Sequence, residues 1–274
     1  MSFKTQVALL LGAACLFIVF VLSWNNLNKP GAHIEDPKTA PAEFTLGWEE
    51  TLENELTLLS IPESILKMED GKLLIQHADT TSLRKSVEFS IQNNYFSIAA
   101  YLQLQMAANT DHIDDWSLAG QYIYTYAVQM QDTSRRDFLM GEAMYCFDKI
   151  LEKEPNNRQA TLYKGLALAD KRETMMLSIP LLLKVVREDS SNILAQYTLG
   201  MLAIESGQYD KALNRFEKLI SLQPSNAEYH FQAARTHELM GNKEQALMYY
   251  TKSLELTETP EIQEQLKEII NQLK

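Results

Sequence analysis

The 274-residue chain is poor in the residues that punctuate β structure, with 10 glycines and 8 prolines. A sandwich or barrel needs a turn about every 8–12 residues, and so more of both. It has two cysteines, Cys15 and Cys146. Cys15 lies inside an apolar N-terminal run, so the two form no disulfide framework, and no zinc spacing exists. Basic charge is in deficit, with 25 Lys and Arg against 36 Asp and Glu and a net charge of -11. An acidic surface repels phosphates, which argues against nucleic acid as a partner. There is no glycine-rich phosphate loop or nucleophile elbow, and His237-Glu238 lacks the second histidine of a zincin helix. His230 and His237, seven residues apart, are too few to hold a metal and read as packing residues. Cys146, beside Phe147, reads as a small buried hydrophobe rather than a nucleophile. These absences imply no enzyme, no cofactor, no metal and no small-molecule substrate.

What the chain has is helix-forming residues and 46% apolar composition, enough for a sizeable core. Val7 to Leu22 reads VALLLGAACLFIVFVL without a polar residue, and Ser23 and Trp24 extend it. That run, about 18 residues, is at the short end of a membrane span. Trp24 suits the lipid–water interface and Lys4 can reach headgroups on the other side. A cleaved signal peptide fits less well, because Ser-Trp-Asn-Asn follows the apolar core. A lipoprotein signal ending at Cys15 fits less well too, because the apolar run continues past that residue. The reading is an uncleaved transmembrane anchor over 1–24. A short tail before the span and a large domain after it imply a single-pass protein of the bacterial inner (cytoplasmic) membrane, with its domain in the periplasm.

Residues 25–42 hold three prolines and a glycine, have no apolar period, and read as a flexible linker. From Phe44 the pattern becomes helical. Trp48, Leu52, Leu56 and Leu59 mark one face, Asp70-Gly71 a turn, and Thr81–Ile91 and Tyr95–Ala108 two further helices. The stretch 43–112 thus reads as N-terminal helices, the last of them able to form a degenerate repeat. Self-comparison shows a repeat with a fixed offset of 34 residues. Gly200 aligns with Ala234, Gly207 with Gly241, Ala212 with Ala246, Phe216 with Tyr250 and Leu222 with Leu256.

This pattern resembles the tetratricopeptide repeat: a helix with a small residue, a glycine turn, then a helix with alanine and an aromatic four residues later, often closed by proline. Gly200, Gly207, Ala212, Phe216 and Pro224 match in one copy, and Gly241, Ala246 and Tyr250 in the next. Upstream, Trp116 to Gly120 matches the start of the motif, and Ala143, Phe147 and Pro155 its second half. About 11 extra residues near Val128–Phe138, including the pair Arg135-Arg136, lengthen the turn of that copy. Another copy has Gly165, with Ser178 and Leu182 in place of the alanine and aromatic, and Pro180 early in its second helix. The expected organisation is therefore repeats at 113–157, 158–192, 193–226 and 227–258. Thr259-Pro260-Glu261 then starts a capping helix over 259–274, striped by Ile262, Leu266, Ile269 and Leu273.

The resemblance implies an all-α solenoid of helical hairpins that binds a protein or peptide in a groove lined by the first helices. The groove residues would be Ser117, Gln121 and Tyr124, then Leu162 and Leu166, Tyr197 and Met201, and Phe231 and Arg235. The same residues could instead pack inside the superhelix, since periodicity alone cannot separate groove from core. Gly120, Gly165, Gly200, Gly207, Ala212, Phe216, Gly241, Ala246 and Tyr250 would hold the repeats together. The functional expectation is a membrane-tethered scaffold or adaptor, with a role in envelope protein biogenesis. The alternative is a structural subunit of an envelope complex, contacted through the helix near Trp48 to Leu59.

Overall fold

The structure, a computed structural model, describes Gly47, Trp48, Thr51, Leu52, Leu66–Glu69, Lys72–Ile75 and residues 79–274. The expected anchor and linker, 1–24 and 25–42, lie outside these. Among the described residues no helix is long and apolar enough to cross a membrane.

After the helical residues Gly47, Trp48, Thr51 and Leu52 come two antiparallel strands, β1 (Leu66–Glu69) and β2 (Lys72–Ile75), with Leu66 opposite Ile75 and Glu69 opposite Lys72. Two intervening residues, Asp70 and Gly71, are a pair suited to a two-residue hairpin. The expectation of helices alone across 43–112 is corrected here, because four-residue strands are too short to show a period of two. Eleven helices follow: α1 (Thr80–Gln92), α2 (Phe96–Thr110), α3 (Ile113–Ala127), α4 (Thr133–Lys153), α5 (Arg158–Ala169), α6 (Met175–Glu188), α7 (Ile193–Glu205), α8 (Tyr209–Leu222), α9 (Ala227–Leu239), α10 (Lys243–Leu256) and α11 (Pro260–Leu273). The architecture is an all-α solenoid of helical hairpins with one small β-hairpin ahead of it.

The chain divides into two compact units, Met1–Ala167 and Leu168–Lys274. In the first, α1 packs on α2, α2 on α3 and α3 on α4. The contact between α3 and α4 depends on a missing side chain. A Cβ at Gly120 would stand 2.6 Å from the ring of Phe147, so only glycine lets the helices meet with that ring between them. Phe147 is fully buried and stacks on Tyr163 of α5 at 5.5 Å.

The extra residues near Val128–Phe138 lengthen the turn only a little, to five residues at 128–132 against three at 206–208, and most of them extend a helix. Asp132 caps the backbone N–H of Arg135, and α4 starts at Thr133 and runs for 21 residues, against 14 for α8 and α10. Arg135 and Arg136 are therefore half-buried helix residues, not a loop pair. The added turns carry Phe138 and Glu142, which receive the helical residues around Trp48. The Trp48 indole lies 5.4 Å from Tyr101 and 5.9 Å from Phe138, and its N–H donates to Glu142 at 3.0 Å. Trp48 and Leu52 are wholly buried, so neither is presented to an outside partner. Leu56 and Leu59 lie outside the described residues.

In the second unit α6 packs on α7, and contacts run on in sequence from α7 to α11. A Cβ at Gly200 would meet the Phe216 ring at 2.8 Å, the same device that joins α3 to α4. Gly207 (φ 70°) and Gly241 (φ 75°) occupy the left-handed conformation that closes each hairpin turn, where a side chain is strained. α11 covers the last hairpin, with Leu266 and Ile270 buried against Ala234, Ala246 and Tyr250.

Candidate functional site

Two first helices of the second unit, α7 and α9, bring the candidate residues together. Tyr197, Met201 and Glu205 recur every four residues on α7, and Glu228, Gln232 and Arg235 follow a matching row on α9. Tyr197 is buried at 5% exposure, its ring against Phe216 at 6.1 Å and Tyr229 at 6.2 Å. It forms the floor of the face rather than a protruding anchor. Its hydroxyl donates to Glu228 Oε1 at 2.8 Å, and the amide of Gln232 donates to the same oxygen at 2.7 Å. The Oε1 of Gln232 is buried without a partner.

Burial raises the Glu228 carboxyl above its ordinary range, while hydrogen bonds from Gln232 and Tyr197 and the charge of Arg235 oppose the rise. Burial, and then the charge of Glu228, drives the Tyr197 hydroxyl well above its ordinary value. Burial also raises Glu205, against the pull of Arg172 and Arg235. Arg235 thus sits within the field of carboxylates from both helices, Glu205 on α7 and Glu228 on α9. Met201, Phe231 and Arg235 are half-buried, with part of each side chain open to solvent. Phe231 meets Tyr250 edge-on at 5.5 Å, and the Tyr250 hydroxyl donates to Glu238 at 2.7 Å.

The remaining groove candidates belong to the first unit. Gln121 folds back on its own helix, donating to the carbonyl and hydroxyl of Ser117 at 2.9 Å each. Tyr124 stands edge-on to Tyr163 at 5.6 Å. Leu162 and Leu166 are buried, at 7% and 6% exposure. Of the repeat-packing set, Gly165, Ala212, Phe216, Ala246 and Tyr250 are all buried.

Sequence reasoning missed Glu205, Glu228 and Gln232. The repeat offset held a signal for Glu228, which occupies the place that Leu194 has one copy earlier. A carboxylate where the preceding copy is aliphatic marks a position that does more than pack. His230 and His237 are buried on α9. The Nε2 of His230 lies 2.8 Å from the Pro224 carbonyl, and His237 stacks on Tyr249 at 5.4 Å.

Comparison with known proteins bears on this geometry. The tetratricopeptide repeat matches residues 197–260 as a family. The human mitochondrial import receptor subunit TOM70 is 28% identical over 109 residues, 40% of this chain, and the rat protein matches equally. The matched segment spans 17% of the receptor's own length. Among solved structures, MamA from Desulfovibrio magneticus RS-1 aligns with a TM-score of 0.55 at 20% identity, over 69% of this chain and 97% of that one. A second structure of MamA aligns at 0.53 with 19% identity, over 65% and 91%. Residues 197–260 thus match the tetratricopeptide repeat, and about two thirds of the chain has the same type of helical fold as MamA.

Proposed function

We propose that this chain is a membrane-tethered scaffold that holds a protein or peptide segment against the α7–α9 face. The observation behind this reading is the pairing of half-open Met201 and Phe231 with Arg235, set among Glu205 and Glu228 above the buried ring of Tyr197. Apolar anchors supply contact area, and a desolvated charge cluster rejects segments that cannot match it. Glu205 and Glu228 are balanced there by Arg172 and Arg235, which favours a segment whose main contribution is an apolar anchor. The tether would be the apolar run Val7–Leu22, with the domain on the periplasmic side of the inner membrane and its clients among envelope proteins. The name of the import receptor to which it is 28% identical over 109 residues is consistent with a receptor-type task.

The test is co-purification from native membranes. Met201→Glu together with Arg235→Glu should abolish recovery of the proteins that the wild type brings down, with helical content unchanged. Both positions are half-buried, so the double variant need not disturb the core. Undiminished recovery would remove the α7–α9 face as the recognition surface. The structural-subunit alternative is weakened by the internal burial of Trp48 and Leu52.

A further inference from the structure

The helical residues around Trp48 sit in a seat built on α2 and α4. Gly47 lacks a side chain, and a Cβ there would stand 2.4 Å from the Phe138 ring, so the segment lies hard against α4. Thr51 donates to the carbonyl of Gly47 at 2.7 Å, which satisfies its hydroxyl within the segment itself. Trp48 and Leu52, one turn apart, are both wholly buried. Apolar contact therefore supplies most of the hold. The polar exception is the Trp48 indole, whose N–H donates across the seat to Glu142.

A carboxyl is an uneasy acceptor there. A glutamine would serve the indole equally well and bring no charge into an apolar place. Among the described residues, Trp48 is the one hydrogen-bond partner of Glu142. On α2, the ring of Tyr101 lies against Trp48 at 5.4 Å. One turn further along α4 is the Cys146 thiol, kept uncharged because burial and the nearness of Glu142 raise it well above its ordinary value. No lysine, arginine or second carboxylate among the described residues acts on Glu142, so nothing there offsets its charge once the proton leaves. With the seat closed, the carboxyl keeps its proton up to about pH 7; with the seat open it meets water and returns to about 4.5. The closed seat binds the proton more tightly, so it is firmest below about 4.5 and loosens as the pH rises through about 7.

We infer that the contact between Trp48 and Glu142 is a pH-sensitive latch, which clamps the chain just behind its N-terminal segment onto α2 and α4 in acid and slackens above neutrality while the solenoid stays folded. Slackening uncovers an apolar seat on Tyr101 and Phe138. The latch depends neither on the membrane anchor nor on the α7–α9 face.

The test is amide hydrogen exchange, read by mass spectrometry on the full chain in detergent micelles and corrected for the intrinsic rate at each pH. With the carboxyl at 4.5 when open and about 7 when closed, opening of residues 47–52 should rise about thirtyfold between pH 5.5 and 8.5. At pH 8.5 these residues should exchange well ahead of α2, α3 and α4. Glu142→Gln cannot ionise and should leave 47–52 equally protected at both pH values. Glu49, Glu50 and Glu53 lie close to Trp48 in sequence but outside the described residues, and the same variant separates their titration from that of Glu142. Equal protection of 47–52 at both pH values in the wild type overturns the inference. So does a rise that survives in Glu142→Gln. Exchange of 47–52 at one rate with α2, α3 and α4 overturns it too, since the segment would then leave only when the whole unit unfolds.

Discussion

Glu142 gives the sharpest quantitative prediction. It is 7% exposed on α4, and the Trp48 indole donates to it at 3.0 Å. Burial, partly offset by that hydrogen bond, raises its carboxyl from 4.5 to about 7. In the unfolded chain the group returns to its ordinary value, so the folded protein binds the proton more tightly. The resulting stabilisation is complete below about pH 4.5 and is lost as the pH rises through about 7. At about 1.4 kcal/mol per unit, the loss on the alkaline side is about 3 kcal/mol. Glu142→Gln keeps the size and an acceptor oxygen for Trp48 but cannot ionise. The variant should match the wild type near pH 4 and exceed its stability by up to about 3 kcal/mol near pH 8. Urea unfolding followed by tryptophan emission across that range measures both, since Trp48 and Trp116 are buried in the first unit. Parallel pH profiles for the two proteins would refute the assignment of this proton to Glu142.

Gly200→Ala gains about 1 kcal/mol of helix propensity but forces a methyl into the Phe216 ring, a clash worth about 1–3 kcal/mol, so thermal unfolding should show a net loss. Phe216→Leu in the same chain should recover part of it, because the contact lies at 2.8 Å from that ring. Tyr197→Phe removes a donor from the buried Glu228 and should cost about 1–3 kcal/mol in chemical denaturation. Adding Glu228→Gln should restore stability, and additive losses in that pair would contradict the shared network.

The hairpins from α3 onward were legible because their contacts reduce to small residues and aromatics at fixed spacing. Gly200 against Phe216 and Gly120 against Phe147 are local within one repeat, so the sequence period registers them. The start of α4 was not legible. Thr133 to Asp137 is polar and looks like a turn, and only the Asp132 cap and the later meeting with Trp48 make it helical. That meeting joins residues 94 apart, beyond the reach of any periodicity. The proposed recognition face divides in the same way. Met201, Phe231 and Arg235 follow from the repeat position, whereas the sinking of Tyr197 onto Glu228 depends on packing between successive repeats, 31 residues apart.

The most direct test of the central claim is site-specific photo-crosslinking in native membranes. Probes replace Met201 or Phe231 on the α7–α9 face and, as a control, exposed Thr251 on α10. The account predicts that one protein, or a small set, is captured from positions 201 and 231, not from 251, and is lost when Arg235→Glu is added. Capture that is equal at all three positions, or absent from 201 and 231, would contradict it.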